Sequence, residues 1–447
     1  MENNFDLLQE LLEHKDYAAL RAALINENEV DIAAFLEMLT PEQAVRAFRL
    51  LHKEQAAEVF ANLESETQEV VIAALGDQQL HEIIEDMYVD DMVDALEELP
   101  ANMVKRVLKM ATADTRSLIN EFLQYPENSA GSIMTAEFID LRQNMTVSQA
   151  ITRIRRIGEQ SEQIYTCYVM DNSRVLEGVV TVKDLLLASD DCLISELMET
   201  NLITVTTAED RELVSQQMMK YGLLVMPVVD SEGRLVGIVT IDDVMDVMQE
   251  EATEDFEKMA AMTPSEHPYL KASVFELAKN RIIWLLVLMI SGMITGSILG
   301  RYEAAFAAMP LLVTFIPMLT DTGGNAGSQS STLVIRGMTI GEIRSSDFMR
   351  VFWKELRVSV LVGIVLSAVN FLRLILVYPG NTMLALTVAF ALFATVVVAK
   401  AVGGLLPIVA KSLHIDPAIM AAPLITTIVD AISLVLYFSA AELLLRI

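Results

Sequence analysis

Apolar residues recur every twelve positions in the first third of the chain. Residues 40–123 form seven consecutive units, most of which carry apolar side chains at positions 5, 8, 9 and 12 and open with polar or turn-forming residues. These positions share one face of a helix. Each unit is too short for a stable isolated helix, so the pattern predicts an all-α superhelix of short stacked helices. The repeat alone leaves a sensing surface and a rigid spacer equally open.

A longer duplication follows, with strand-like and helix-like segments in alternation. Its first copy runs over residues 132–184 and its second over residues 197–243. Each copy predicts a short strand, a helix, two strands joined by a turn, and a closing helix. Each ends in Gly, two apolar residues, Thr, two further residues and Asp. We therefore expect a pair of α/β domains.

The shared ending of the two copies resembles the signature of tandem CBS domains. The resemblance implies that Thr181 with Asp184, and Thr240 with Asp243, bind the ribose of ATP or another adenine nucleotide. The alternative is that each Thr and Asp only caps the helix that follows. Capping and nucleotide binding are compatible, and the sequence does not separate them.

Acidic residues concentrate on two predicted helices. They recur there three or four positions apart, on one face of each helix. Like charges at that spacing destabilise a helix unless a cation neutralises them. A single cluster is usually a solvated face, whereas two clusters in separate domains favour a divalent cation, which prefers oxygen ligands. The clusters are Asp243, Asp246, Glu250, Glu254 and Glu257 on the helix after the second copy, and Asp90, Asp91 and Asp94 in the repeat.

Five apolar stretches fill the last part of the chain. Each is long enough to cross a hydrocarbon core of roughly 30 Å, so they predict an all-α transmembrane domain of five helices. A segment rich in Gly, amide and hydroxyl groups, residues 321–331, interrupts the second stretch and predicts irregular backbone there. The five stretches are residues 282–300, 304–335, 358–377, 383–410 and 417–445.

The charge distribution separates a soluble part from this membrane part. The 447 residues have a net charge of −29 but are 53% hydrophobic. Residues 1–270 carry 19 basic and 52 acidic side chains, against 13 and 9 in residues 271–447. The acidic surplus argues against a nucleic-acid partner, and two cysteines suggest no disulfide framework. Ten of the 13 basic residues flank the spans on the side of the acidic domains, which predicts cytoplasmic N-terminal domains and an external C-terminus.

One carboxylate lies deep within the last apolar stretch. Asp430 follows Asp416 by fourteen residues, about 21 Å along a helix. A charge there costs at least ~2.5 kcal/mol unless it faces water, a cation or a partner. Lys400 or Arg373 could be that partner; a pore carboxylate is the favoured interpretation. Because the spans offer no His or Cys ligand, the predicted cargo is a hard cation.

The order of helical repeat, CBS pair, acidic connecting helix and five spans resembles the MgtE family of magnesium channels. The local matches are residues 321–329, 416–430 and 250–255. The resemblance implies a homodimer in the cell membrane whose second and fifth spans line the pore. Asp430 from both subunits would hold a largely hydrated Mg²⁺, and Asp321, Asn325 and Asp416 are further pore candidates.

The resemblance also implies that Mg²⁺ is a regulator as well as the substrate. Cytosolic Mg²⁺ would close the pore by binding a sensor composed of Asp90, Asp91, Asp94, Asp243, Asp246, Glu250, Glu251, Glu254 and Asp255. The expected domains are residues 1–130 (helical repeat), 131–250 (CBS pair), 251–280 (connecting or plug helix) and 281–447 (transmembrane). An ion-coupled transporter or exporter of Mg²⁺ or Co²⁺ and a non-transporting nucleotide-regulated membrane sensor remain alternatives. No nucleophile–base set or phosphate loop indicates an enzyme.

Overall fold

The computed structural model describes residues 2–265, 269–303, 307 and 309–445. It divides into two compact units, Met1–Met248 and Gln249–Ile447. Residues 304–306 and 308 of the predicted second span and residues 266–268 of the predicted connecting segment lie outside the described residues.

Short helices form the first part of unit 1, and each twelve-residue unit of the repeat contributes one of them. Thr112, which opens the last unit, caps the helix of that unit: its hydroxyl accepts a hydrogen bond from the Thr115 N–H at 3.2 Å. Apolar repeat positions such as Met92 and Leu96 are buried. The predicted stack of short helices is confirmed. The helices are α1 (Glu2–Glu13), α2 (Tyr17–Leu24), α3 (Glu29–Glu37), α4 (Pro41–Phe48), α5 (Lys53–Ala61), α6 (Ser65–Ala74), α7 (Asp77–Ile84), α8 (Val89–Glu98), α9 (Ala101–Met110) and α10 (Ala113–Phe122).

Two similar three-stranded sheets form the rest of unit 1, as the duplication predicts. In each sheet the first strand pairs parallel to the second, and the second pairs antiparallel to the third. The first copy contains β1 (Asp140–Leu141), α11 (Val147–Ile157), β2 (Thr166–Met170), β3 (Leu176–Thr181) and α12 (Val182–Leu187). After α13 (Ile194–Leu197), the second contains β4 (Val205–Thr206), α14 (Arg211–Tyr221), β5 (Val225–Val229) and β6 (Leu235–Thr240), and it leads into α15 (Ile241–Met259).

The two copies exchange short extended segments. Thr135, which precedes β1, pairs with Ile238 of the second copy, and Glu199, which precedes β4, pairs with Val179 of the first. The exchanged segment passes directly over the glycine of the shared signature, because a Cβ at Gly237 would lie 2.8 Å from the Thr135 carbonyl oxygen. The signature glycine is therefore required by close backbone packing.

Four described helices in unit 2 are long and apolar enough to cross a membrane, and a fifth long helix is more polar. In chain order the helices are α16 (Val274–Arg301), the polar α17 (Ile316–Thr339), α18 (Phe348–Val377), α19 (Thr382–Ser412) and α20 (Ala422–Leu445). Helices α17, α19 and α20 pack on one another, α18 packs on α19, and α16 packs on α20. Within the described chain, nothing lies within 4 Å of a Cβ placed at Gly292, Gly296 or Gly300 of α16.

The expected irregular backbone within the second span is wrong. Residues 321–331 lie inside the continuous helix α17, and the non-α turn is instead the 3₁₀ segment Pro310–Phe315 that precedes it. The glycines serve helix packing: a Cβ at Gly323 would meet Val429 at 2.9 Å, and one at Gly324 would meet Thr426 at 2.7 Å. Small residues that permit close helix contact thus account for the glycine-rich composition.

The close packing at Gly237 generates a prediction for stability. Gly237→Ala forces the exchanged segment away from β6, so we expect it to lower the free energy of unfolding of unit 1 by about 1–3 kcal/mol. Urea titration of the full-length protein, followed by circular dichroism, measures the change. Gly76→Ala is the matched control, because its Cβ would meet no atom closer than 3.9 Å. Equal effects of the two substitutions would contradict the packing explanation.

Candidate functional site

Unit 1 brings together carboxylates from the helical repeat and from the CBS pair. Asp90 and Asp91 lie in the first turn of α8, and Asp243 lies in the first turn of α15. Glu162, in the segment between α11 and β2, is also close enough to repel Asp90. Asp90 is 8% exposed, and neither its Oδ1 nor Glu162 Oε2 has a hydrogen-bond partner among the described residues.

Burial and mutual repulsion shift the titration of this carboxylate cluster. The pKa of Asp90 lies well above its usual range because the group is buried and because Asp243, Asp91 and Glu162 repel its charge. Burial, with repulsion from neighbouring carboxylates, raises the pKa of Asp91 to about 6 and that of Glu162 to about 8. Burial likewise raises the pKa of Asp243 to about 6, against the lowering effect of its hydrogen bond from Thr240. When ionised, these groups require a compensating cation.

Sequence reasoning missed Glu162 and its neighbours Glu58 and Glu137. The charges of Glu58 and Glu137 both repel the charge of Asp91. The Glu162 N–H donates to the Glu137 carbonyl oxygen at 2.9 Å, which links the two segments. None of the three belongs to an acidic run with helical spacing, so no pattern in the chain could have identified them.

The other predicted sensor residues lie apart from the buried cluster. Asp94 is exposed on α8, and Asp246 is exposed on α15, where it still repels Asp243. The remaining four belong to unit 2, with Glu250 exposed and the other three half-buried. These four are Glu250, Glu251, Glu254 and Asp255.

The nucleotide candidates act as helix caps. The Thr181 hydroxyl accepts the Asp184 N–H at 3.2 Å, and the Thr240 hydroxyl donates to Asp243 Oδ2 at 2.5 Å. Thr181 also lines a cleft of about 610 Å³, together with Tyr165 and other residues of both copies. Of the four nucleotide candidates only Thr181 lines this cleft; Asp184, Thr240 and Asp243 do not, and Asp243 belongs to the acidic cluster. The remaining lining residues include Thr166, Lys183, Asn201 and Leu224.

Two polar contacts attach the end of α15 to other parts of unit 2. The Lys258 ammonium donates to Asp416 Oδ2 at 2.7 Å and also pairs with Glu254. Although burial opposes it, hydrogen bonding to these two carboxylates raises the pKa of Lys258. The Thr339 hydroxyl donates to Asp255 Oδ2 at 3.2 Å, and burial raises the pKa of Asp255. The end of α15 is therefore held to the end of α17 and to the turn before α20.

Helix α17 has two contrasting faces. Asp321, Asn325 and Gln329 recur every four residues and are exposed, so they form a polar stripe. Gly323 and Gly327 lie on the buried face, against α19 and α20. In a helix long enough to span a membrane, an exposed polar stripe requires water, an ion or another protein surface.

Asp430 lies eight residues after the start of α20, and among the described residues no basic side chain pairs with it. Its Oδ1 atom is buried and has no hydrogen-bond partner in the described part of the chain, and Asp321 of the polar stripe repels it. Lys400, the partner considered from the sequence, donates instead to the Ser330 hydroxyl at 3.3 Å. Arg373 is exposed, and neither base forms an ion pair with Asp430 within the described residues.

A single chain does not assemble a complete metal site from side chains. No group of three or more His, Cys, Asp and Glu residues within the described ranges is arranged to hold a metal ion. Asp416 Oδ1 accepts the Ala418 N–H at 2.8 Å, so that carboxylate already serves as a cap and as a partner of Lys258. The oxygen-rich residues Asp321, Asn325 and Asp430 suit a hard cation that keeps much of its own water.

Comparisons with known proteins match each part of the chain. A family model described as a divalent cation transporter matches residues 316–440, and one described as the MgtE intracellular N domain matches residues 27–128. The CBS domain model matches residues 130–191 and 194–250. The predicted CBS pair is thus confirmed.

Curated relatives extend the match to nearly the whole chain. The magnesium transporter MgtE of Thermus thermophilus is 38% identical over 444 residues, which cover 98% of each chain. MgtE of Bacillus subtilis is 34% identical and covers 84% of this chain and 82% of that protein.

Two solved structures resemble the soluble part. The soluble part of a magnesium transporter aligns with a TM-score of 0.54 and 30% identity, covering 56% of this chain and 99% of that one. The cytosolic domain of the Mg²⁺ channel MgtE in complex with ATP aligns with a TM-score of 0.52 and 37% identity, covering 54% and 98%. The chain therefore belongs to the MgtE family, whose members are membrane proteins that transport Mg²⁺ and are not enzymes.

Proposed function

We propose that this transporter is a Mg²⁺ channel of the cell membrane that cytosolic Mg²⁺ closes by feedback. The observation that carries the proposal is the carboxylate cluster of Asp90, Asp91, Glu162 and Asp243, contributed by both parts of unit 1, in which Asp90 is buried and the other three are half-buried. The described side chains do not form a ready-made metal site, but ionised carboxylates this close repel one another, so a divalent cation that draws them together stabilises the compact arrangement. Mg²⁺ binds the compact arrangement more tightly than the separated one. This difference in affinity shifts the population toward the compact arrangement.

The contacts of α15 give this sensor a route to the pore. Helix α15 starts beside the carboxylate cluster at Asp243 and ends in the contacts of Lys258 with Asp416 and of Asp255 with Thr339. When Mg²⁺ is scarce, the cluster separates and α15 loses its fixed start. The helix then releases the last turn of α17 and the turn before α20. Further carboxylates of this sensor come from Asp94, Asp246, Glu250, Glu251 and Glu254.

The pore lies along α17 and α20 and is completed by a second copy of the chain. Asp321 and Asn325 of the exposed stripe face the ion path together with Asp430, and Asp416 lies at its cytosolic end. Because the described residues of one chain offer too few ligands, a homodimer supplies a second Asp430 to a largely hydrated Mg²⁺. The N-terminal domains lie in the cytosol and the C-terminus outside, an orientation that the distribution of basic residues supports.

The functional domains have the bounds expected from the sequence. Residues 1–130 and 131–250 form the sensor, residues 251–280 the connecting segment that includes the end of α15, and residues 281–447 the transmembrane pore. An adenine nucleotide such as ATP occupies the cleft that Thr181 lines, with Thr181 at its ribose and Lys183 available for phosphate. Asp184 does not line the cleft and contributes by its hydrogen bond with Thr181. The ATP complex of the similar cytosolic domain supports this assignment.

The first prediction concerns the pore carboxylate. Asp430→Asn removes the charge that binds the cation, so Mg²⁺ flux into proteoliposomes should fall at least about tenfold, which corresponds to a loss of ~1.4 kcal/mol. Glu442→Gln, an exposed substitution on the same helix, should leave flux unchanged. Flux that persists in Asp430→Asn would contradict the pore assignment. Flux that follows the proton gradient instead of the membrane potential would favour a coupled carrier.

The second prediction concerns feedback. The double substitution Asp246→Ala with Glu251→Ala weakens cation binding by the sensor, so flux should stay high at millimolar internal Mg²⁺ and match the parent protein at low Mg²⁺. Liposomes loaded with graded Mg²⁺ measure the inhibition curve. Asp114→Ala with Asp191→Ala removes the same charge from exposed positions and serves as the control. If both pairs retain inhibition equally well, the gating proposal fails.

The third prediction concerns pH. Because folding raises the pKa of Asp91, Asp243 and Glu162, their protonated forms stabilise unit 1 at low pH. In Mg²⁺-free buffer this stability is fully present below the ordinary carboxyl pKa of about 4 and is lost as the pH rises to about 8. Millimolar Mg²⁺ should restore the melting temperature at pH 8.

A single substitution tests which group dominates this pH dependence. Glu162→Gln should raise the Mg²⁺-free melting temperature at pH 8 by several degrees and reduce the gain from Mg²⁺. Glu159→Gln, at a neighbouring exposed position, should behave like the parent protein. A melting temperature of the parent that does not change between pH 5 and pH 8 without Mg²⁺ would overturn the sensor assignment.

A further inference from the structure

Three polar side chains from three neighbouring helices meet inside the membrane bundle. The Lys400 ammonium of α19, which is 5% exposed, donates to the Ser330 hydroxyl of α17 at 3.3 Å. The Ser330 hydroxyl in turn donates to Glu355 Oε2 of α18 at 2.6 Å. No direct ion pair joins Lys400 to Glu355 in the described part of the chain, so the serine bridges the two charges.

Close helix packing surrounds this bridge. A Cβ at Gly403 would collide with the backbone of Gly327, and one at Gly327 would lie 3.1 Å from the Ala399 carbonyl oxygen. The backbones of α17 and α19 therefore touch directly beside Ser330. A Cβ at Gly404 would lie 2.8 Å from Glu355 Cγ, so that glycine leaves the space that the glutamate side chain fills.

The chemistry of the bridge restricts the orientation of α17. A serine hydroxyl has one proton to donate and lone pairs to accept, and here the carboxylate takes the proton while the ammonium uses a lone pair. A buried ammonium or carboxylate without its partner costs several kcal/mol. Rotation of α17 would withdraw the hydroxyl from both charges, so the bundle strongly favours one orientation.

The orientation of α17 determines where its polar stripe points. Ser330 follows Gln329 directly, so the two side chains are about 100° apart around the helix. Ser330 is buried, whereas Gln329 is exposed in line with Asn325 and Asp321. A hydroxyl fixed on the buried side therefore fixes the stripe on the other side.

We propose that Lys400, Ser330 and Glu355 form a positioning network that holds α17 at the rotation which presents Asp321 and Asn325 to the transported cation. The proposal rests on the assignment of that stripe to the ion path. The three residues do not touch the cation. Their opposite charges also cancel, so a lysine can lie inside a cation transporter without repelling its cargo.

The test combines flux with chemical accessibility. Glu355→Gln leaves the buried Lys400 ammonium without its partner, and Lys400→Met leaves the half-buried Glu355 carboxylate without its partner, so in each case Mg²⁺ flux per protein should fall by about tenfold or more. The double variant removes both charges and should recover most of the flux. Lys354→Met, an exposed lysine one residue from Glu355, should have no effect. A double variant no better than the worse single variant would overturn the proposal.

Accessibility reports helix rotation independently of flux. In a chain with Cys167 and Cys192 replaced by serine, Asn325→Cys should react with a water-soluble thiol reagent and Ala326→Cys, at a buried position, should not. Lys400→Met should reduce this difference in reactivity. Ser330→Ala should do the same without removing a charge, which covers the case in which Lys400→Met does not fold. A reactivity difference that neither change reduces would contradict the positioning role.

The two readouts also separate this proposal from the pore assignment. If Asp430→Asn retains full flux, the pore assignment fails, but the reactivity of positions 325 and 326 still tests the network. If Asp430→Asn abolishes flux while the reactivity difference survives loss of Lys400 and of Ser330, the network proposal alone fails.

Discussion

A charge removed from water must be compensated by a proton, a counter-ion or a set of hydrogen bonds, and this requirement governs every polar site of this protein. Lys400 and Glu355 satisfy it through a shared serine hydroxyl. Lys258 and Asp416 satisfy it by direct pairing. Asp90 and Glu162 satisfy it in part by holding a proton to higher pH than an ordinary carboxyl group, as the raised pKa of each indicates, while Asp91 and Asp243 ionise first and need a cation. A protein that transports Mg²⁺ can use the same requirement to bind the ion. A carboxylate without a proton, a counter-ion or hydrogen bonds is stabilised when a cation binds it.

Glycine supports this arrangement by allowing the backbones to approach closely. In unit 2, glycines of α17 and α19 bring the helices into contact, so that short polar side chains such as Ser330 reach across. In unit 1, Gly237 accommodates the exchanged segment of the first copy. In both places the missing side chain matters more than backbone flexibility, since these glycines lie in regular helix or strand.

Much of the fold could be predicted from the sequence because it depends on local periodicity. The twelve-residue repeat defines one helix per unit, and the duplicated signature marks two equivalent sheets. The same reasoning misread residues 321–331, because a run of Gly, Ser and amide residues suggests irregular backbone unless the neighbouring helices that need small residues are known.

The sites were harder to predict because their contacts join distant positions. Lys258 meets Asp416 across 158 residues, and Lys400 meets Ser330 across 70. Glu162 has only Glu159 as an acidic neighbour at helical spacing, and the packing of the CBS pair against the repeat makes it part of the cluster. Asp430 was recognisable from the sequence, since a lone carboxylate in an apolar helix is conspicuous without any partner.

The exchange of segments between the two CBS copies has a consequence for how the protein is made. Thr135 completes a sheet whose strand β6 is synthesised about a hundred residues later, and Glu199 completes the sheet of the copy before it. The pairing of Glu199 with Val179 can form once residue 199 has been added, whereas Thr135 has no partner until the ribosome reaches Ile238. The second sheet is therefore completed last, and a chain that stops between the copies lacks the partner for Thr135.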